Sequence, residues 1–251
     1  MLKDKIAVVT GASRGIGFEI AKELALRGAD VIICSRSRAN AESSAALIQG
    51  RVYPEELDVT SMPAITKFVN DITDTHKHID ILVNNAGYPF DRSIWHKKFH
   101  EVTELELDST IDVDLKGTFR LCKEIIPVML QNNKRGGTII NISSTPAIAG
   151  HTEGAPYSIA KAGIIALTKH IALEYGEKNI RAYTLALGNI STEATLNSLT
   201  EHEKKKAAAE NAMKRWGDPK EVATVAASIA DDNFSFATGN TIVIDGGTVL
   251  I

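Results

Sequence analysis

Tyr157 stands four residues before Lys161 and thirteen after Ser144, in the stretch STPAIAGHTEGAPYSIAK that runs from 144 to 161. Residues at i and i+4 share one face of a helix, one turn apart. A free tyrosine titrates near pH 10 and is a poor acid or base at neutral pH, but an ammonium held beside it favours the phenolate. The spacing of Tyr157 and Lys161 therefore suits proton transfer at a reacting oxygen.

A second chemistry-bearing stretch, TGASRGIG, lies at 10–17. Its glycines, Gly11, Gly15 and Gly17, follow the pattern G-x-x-x-G-x-G. Glycines at a strand-to-helix junction permit a tight turn and close approach of backbone to a pyrophosphate, and the helix N-terminus supplies free N–H groups. The end of the next strand-like run reads Ser35-Arg36. An acid there would accept from a free ribose 2′-hydroxyl, whereas a base accommodates a 2′-phosphate. Arg14, inside the glycine turn, reaches the same side, and the planar guanidinium suits phosphate. Two cations and no acid point to NADP(H) rather than NAD(H).

These residues need elements to position them. Strand-length runs at Ile6–Thr10, Val31–Ser35, Val52–Leu57, Ile79–Val83, Thr138–Ile142, Ile180–Ala186 and Thr241–Ile244 alternate with helix-length stretches. Those stretches are Ile16–Arg27, Ala39–Gln49, Ala64–His76, Ser109–Gln131, Pro156–Tyr175 and Pro219–Ala230. Such alternation predicts a parallel sheet covered on both faces. The expected fold class is α/β: one domain over 1–251, a Rossmann-like doubly wound parallel sheet of seven strands. Tyr88–Asp108 and Asn189–Gly217 break the alternation. Both follow strand C-terminal ends, where open α/β sheets bind ligands.

The composition, 44% hydrophobic and 24% charged with net charge −3 over 251 residues, is that of an ordinary globular chain and offers no basic surface for nucleic acid. No apolar run is long enough for a membrane span, and the first residues lead straight into a strand without signal-peptide character. Cys34 and Cys122 read as reduced core residues, and the expected location is cytoplasmic.

The glycine turn, Asp58 after the third strand, NNAG at 84–87, Ser144, Tyr157-x-x-x-Lys161 and IVIDGG at 242–247 occur in order. Together they resemble the short-chain dehydrogenase/reductase family over essentially the whole chain, and most resemble its 3-oxoacyl thioester reductases and related carbonyl reductases. The resemblance implies that Tyr157 is the general acid of carbonyl reduction and the base of the reverse reaction. Lys161 would lower the tyrosine's pKa and bind the nicotinamide ribose, and Ser144 would hydrogen-bond the substrate oxygen. It further implies that Gly11, Ser13, Arg14, Gly15, Ile16 and Gly17 line the pyrophosphate and ribose. Asp58 and the backbone of Val59 would meet the adenine edge. Asn85 and Gly87 would flank the ribose, although Asn84 and Asn85 equally suit bracing of the sheet. Ile190 and Thr192 would contact the carboxamide, and His151 and Glu153 would border the substrate. A homotetramer or a dimer would form on the long helices and the last strand.

Three departures from the family stand out. Asp114 replaces the usual asparagine that holds a water leading to Lys161, which predicts an altered pH profile. Leu187 replaces a proline before Gly188, which predicts a looser loop. The segment from Gly87 to Asp114 is about five residues longer than usual and rich in aromatics, suited to an interface or to the substrate entrance. Its His96 and His100 have helical spacing, but no carboxylate or cysteine pattern completes a metal site, and they read as surface residues. The segment 189–217 is expected to be a substrate lid. Lys134, Arg135 and Lys178 would face an acidic acyl carrier if one docks.

The leading reading is an NADPH-dependent reductase of a ketone, first a 3-oxoacyl thioester on a carrier protein or coenzyme A. Two others fit the same residues: an alcohol, polyol or steroid dehydrogenase or other small-carbonyl reductase, and an NADP(H)-binding regulatory protein without turnover.

Overall fold

The computed structural model describes residues 1–132 and 136–250. Lys134 and Arg135, two of the three cations expected on a carrier-docking face, lie outside the described residues, while Lys178 is exposed. The strands are β1 (Ile6–Thr10), β2 (Asp30–Ser35), β3 (Val52–Glu56), β4 (Ile81–Asn84), β5 (Gly137–Ser144), β6 (Ile180–Leu187) and β7 (Thr241–Ile244). They form one seven-stranded parallel sheet in the order β3-β2-β1-β4-β5-β6-β7. The order reverses between β1 and β4, and that switch point opens a crevice at the C-terminal edge.

The helices are α1 (Gly15–Leu26), α2 (Arg38–Ala45), α3 (Met62–His76), α4 (Arg92–Trp95), α5 (Glu104–Ile111), α6 (Gly117–Leu130), α7 (Pro146–Ala149), α8 (Ala155–Tyr175), α9 (Glu193–Asn197), α10 (Glu201–Ala209) and α11 (Pro219–Ile229). The period-2 alternation of each strand divides the core into two layers. Val9, Val31, Ile33, Val83 and Ile140 pack beneath α1 and α11 with Ile20, Leu24, Val222 and Ala226. Val8, Ile32, Leu82 and Ile139 pack on the opposite face against Ile65 and Phe68 of α3, Leu121 and Ile125 of α6, and Ile171 of α8. Cys34 and Cys122 are both buried free thiols in that second layer, and burial, against the opposing effect of the Asn84 contact, pushes the Cys122 thiol up to about 12.

Most boundaries fall within a few residues of those read from the sequence. The long stretch Ser109–Gln131 is the exception. Its helix begins earlier, at Glu104, where Thr103 and Glu106 form a reciprocal capping box, and a π-helical turn at Asp112–Lys116 interrupts it before α6. The extra residue of a π turn rotates the chain by a fraction of a turn, and here it carries Asp114 into the interior with no solvent exposure. Gly117, just after it, allows close packing on Val59, since a Cβ would stand 2.9 Å from the Val59 Cγ2.

Buried polar side chains in the sheet centre pair with one another, as desolvated groups must. The Asn84 amide donates to Asn141 Oδ1 at 2.8 Å, the Asn141 amide donates to Thr168 Oγ1 at 2.9 Å, and the Thr184 hydroxyl donates to the same oxygen at 2.8 Å. Asn84 is thus a bracing residue that links β4 to β5.

Candidate active site

The glycine turn follows β1. Gly11 and Gly15 adopt φ of +62° and +60°, a region that disfavours any side chain with a Cβ. A Cβ on Gly17 would lie 2.3 Å from Asn85 Nδ2 and 2.6 Å from the Gly11 carbonyl oxygen, so only glycine fits beneath the turn. Asn85 holds this arrangement by donating from Nδ2 to the carbonyls of Thr10 and Gly11 at 2.9 and 3.1 Å. Its side chain therefore shapes the turn. Arg14 is the extended residue before α1 and places no side-chain cap on the helix, whose first N–H groups remain available. A Cβ on Gly15 would come within 3.5 Å of Thr192 Cγ2, so the loop after β6 closes over the same turn. Ser13 accepts from the Ser44 hydroxyl through its carbonyl, and Ile16 packs into the core.

Beyond β2, Ser35 is buried and Arg36 exposed. Arg38 is tied to Glu42 and Glu55 at 3.0 and 2.7 Å, whereas Arg14 and Arg36 make no ion pair among the described residues. Asp58 accepts from the amide and hydroxyl of Thr60 at 2.9 and 2.7 Å, and these bonds hold its carboxyl below the ordinary range. Val59 beside it is buried.

Tyr157 and Lys161 lie one turn apart on α8, which Pro156 and the left-handed Gly154 open. The Lys161 ammonium stands 5.4 Å from the Tyr157 ring centroid and 3.2 Å from Asp114 Oδ2. It also donates to the Ile142 carbonyl at 3.4 Å. Burial alone would push Lys161 down, but the charge of Asp114, joined by Tyr157, outweighs it and holds the ammonium above the ordinary lysine value. The other Asp114 oxygen accepts from the Tyr88 amide at 2.5 Å, and a Cβ on Gly87 would approach it to 3.3 Å. Asp114, expected to reach Lys161 through a water, faces it directly. Ser144, at the end of β5, donates to the Leu187 carbonyl at 3.1 Å. Leu187 itself ends β6 inside the sheet, and Gly188 donates to the Ile244 carbonyl, so the loop expected to loosen starts from fixed backbone. Ile190, buried, bridges to Gly217.

A cleft of about 660 Å³ opens beside Ser144 and Tyr157, between the 88–96 segment, the 149–154 loop and the α9–α10 segment. Trp95 stands at its wall. The ring centroid is 5.7 Å from that of Tyr157 and 5.4 Å from that of His151, and the indole N–H donates to Glu153 Oε2 at 3.0 Å. His96 Nδ1 sits 2.9 Å from the other Glu153 oxygen, and this bond, above all, draws the carboxyl down. Across the cleft Arg92 meets Glu203 of α10 at 2.7 Å and donates to the Ser198 carbonyl at 2.8 Å, drawing the Glu203 carboxyl down to about 2. Among the described residues no group of three or more His, Cys, Asp or Glu side chains is placed to hold a metal ion.

A family model described as enoyl-(acyl carrier protein) reductase matches residues 11–249. The chain is 36% identical over 252 residues to the 3-oxoacyl-[acyl-carrier-protein] reductase FabG of Thermotoga maritima, a match that spans 99% of both chains. The chain belongs to the short-chain dehydrogenase/reductase family. It is also 32% identical to a 7alpha-hydroxysteroid dehydrogenase of Bacteroides fragilis, over 99% of this chain and 95% of that one. Among solved structures, one described as a candidate gluconate dehydrogenase from Agrobacterium tumefaciens superposes with a TM-score of 0.92 at 28% identity, covering 99% of this chain and 98% of that one. Members of this family are oxidoreductases that use a nicotinamide cofactor, and the glycine turn fits one: its side-chain-free floor and uncapped helix N-terminus leave room for a pyrophosphate.

The structure brings the reductase-like residues Ser144, Tyr157, Lys161 and Asp114 to one end of the sheet. Trp95, one of the aromatics of the 88–108 segment, stands beside Tyr157, while the Arg92–Glu203 link has no signal in the sequence. His96, read as a surface residue, is exposed and pairs with Glu153. The aromatic surplus of the 88–108 segment was the one signal that pointed to this wall.

Proposed function

We propose that this protein is an NADPH-dependent reductase that converts a ketone to a secondary alcohol, with a 3-oxoacyl thioester of coenzyme A or an acyl carrier as substrate. The observation that carries the reading is the buried Lys161 ammonium, paired with Asp114 and set beside Tyr157 at the mouth of the cleft. NADPH, held at the glycine turn, would supply the hydride for the carbonyl carbon. Tyr157 gives its phenolic proton to the carbonyl oxygen as charge builds there, and the reverse reaction uses it as base. The Lys161 ammonium stabilises the phenolate left behind. The Ser144 hydroxyl, now donating to Leu187, turns to donate to the substrate oxygen and polarises the carbonyl. The sum is ketone, NADPH and a proton giving alcohol and NADP⁺.

Arg14 and Arg36, exposed and free of ion pairs among the described residues, take the 2′-phosphate, with Ser35 beside it. Asp58 and the Val59 backbone meet the adenine, Gly87 leaves space for the ribose, and Ile190 and Thr192 meet the carboxamide. The 189–217 segment acts as the lid of a single 1–251 domain, and Arg92 holds it through Glu203. His151 borders the substrate through its place in the cleft wall. Exposed Phe119, Ile159 and Leu173 on α6 and α8 offer apolar surface for a homotetramer. No helix among the described residues is long and apolar enough to cross a membrane, which suits a cytoplasmic location. A second reading, oxidation of a ring-borne secondary alcohol, draws on the hydroxysteroid dehydrogenase relative and the aromatic wall.

The test follows NADPH oxidation with acetoacetyl-CoA, with NADH in parallel, for the wild type and for Tyr157→Phe. Turnover that prefers NADPH and disappears in the variant, while NADPH still binds, is the expected result. Turnover unchanged in Tyr157→Phe would overturn the mechanism.

A further inference from the structure

Trp95 is held more firmly than a surface indole needs to be. Its N–H donates to Glu153, its carbonyl accepts from the Gly154 amide at 2.8 Å, and Phe90 packs on it with centroids 5.7 Å apart. Gly154, at φ +67°, lies so close beneath the ring that a Cβ would stand 2.5 Å from the indole Cζ3. The ring is thus fixed at 60° to Tyr157 and 5.7 Å from it. Trp95 and Tyr157 line the same cleft, so the indole is part of the wall beside any carbonyl compound that reaches Tyr157. The charged groups nearest the indole are already paired. Glu153 is engaged by Trp95 and His96, Arg92 by Glu203 and Ser198, and Lys97 by Glu106. The wall beside the indole presents aromatic surface; Lys206, on α10, is the cation of the cleft lining without an ion pair among the described residues.

We infer that Trp95 is a specificity-determining residue that favours ketones carrying a flat ring on the reacting carbonyl, and that Glu153 is the positioning residue that holds it. A flat substituent stacks or packs edge-to-face on the indole, whereas a methyl group or thin chain leaves part of that surface unmatched. The inference rests on the reading of this cleft as a carbonyl-reducing site, and not on the thioester.

Ethyl benzoylacetate and ethyl acetoacetate differ only in phenyl against methyl on the ketone, so their ratio of kcat/KM with NADPH isolates the wall. The wild type is expected to favour the phenyl ketone by about tenfold, the order of one aromatic contact. Trp95→Leu, apolar but without the ring face, should bring the ratio close to one. Glu153→Ala should lower it mainly through KM, and Glu153→Gln, whose amide oxygen still accepts from the indole, should restore it. A ratio near one in the wild type, or one untouched by Trp95→Leu, overturns the inference. A Glu153→Ala ratio equal to the wild type removes the positioning role.

The second measurement needs no substitution at Trp95. The sequence contains two tryptophans, and in Trp216→Phe protein Trp95 is the sole indole. Saturable quenching of its fluorescence by ethyl benzoylacetate supports the wall, and none overturns it. If neither ketone is turned over, the reductase reading falls, while this titration still judges the wall.

Discussion

The Asp114–Lys161 pair sets up a double-mutant cycle. Both side chains are buried, at 0% and 6% exposure, with 3.2 Å between Oδ2 and Nζ. At an effective dielectric constant of about 20, a pair at this distance gains about 5 kcal/mol of Coulomb energy, against which stands the cost of taking both ions out of water. Removing one partner leaves the other buried and uncompensated, so Lys161→Met should destabilise by about 3–5 kcal/mol. Asp114→Leu should cost at least as much, because it also deprives the Tyr88 amide of its acceptor, worth about 1–3 kcal/mol. The double variant removes both charges and leaves only that amide, so its cost should fall below that of either single variant, with a coupling of about 2 kcal/mol or more. Urea unfolding at pH 7.5 and fixed protomer concentration measures the cycle.

The pH dependence of the same proteins has a definite sign. Lys161 is held above its unfolded value, so its stabilisation is fully present below about pH 10.4 and is lost as pH rises through the higher folded value. In Asp114→Leu, burial without a partner lowers Lys161 instead, and the penalty fades as pH climbs toward about 10.4. The gap between wild type and Asp114→Leu should therefore be widest near neutrality and narrow in alkali. Additive costs, or a gap independent of pH from 7 to 10.5, would refute the pairing.

Cofactor choice and the glycine turn give further tests. Arg36→Ala and Arg14→Ala should each lower the NADPH-to-NADH ratio of kcat/KM by about 10- to 100-fold, as expected for a lost charge-assisted bond to phosphate; fluorescence titration of both cofactors checks it. Gly17→Ala drives a methyl group into Asn85 and the Gly11 carbonyl, so it should cost about 1–3 kcal/mol in urea unfolding and weaken NADPH binding at the same time.

Much of this molecule is written locally. Most strands are short runs rich in β-branched and aliphatic residues, and several helices carry their own start signal, such as Ser61 accepting from the Ala64 amide or Asp218 with Glu221 before α11. The glycine turn and the Tyr157–Lys161 spacing are likewise legible, because their chemistry depends on residues within one or two turns of each other. Asp114 was visible as an unusual residue at its position, but its direct contact with Lys161 was not. That contact needs the π turn to rotate the carboxylate inward and the sheet register to bring α8 against it, 47 residues later in the chain. Trp95 over Tyr157 and Arg92 with Glu203 have the same origin, joining segments 62 and 111 residues apart. Periodicity and spacing report which face of an element is apolar and where its ends fall; they carry no information about which distant side chain meets it. Local propensity and burial pattern suffice for the sheet, its helices and the acid/base pair. What surrounds that pair follows from the tertiary structure, because the strand order, the π turn and the segments after β4 and β6 together bring those distant partners to it.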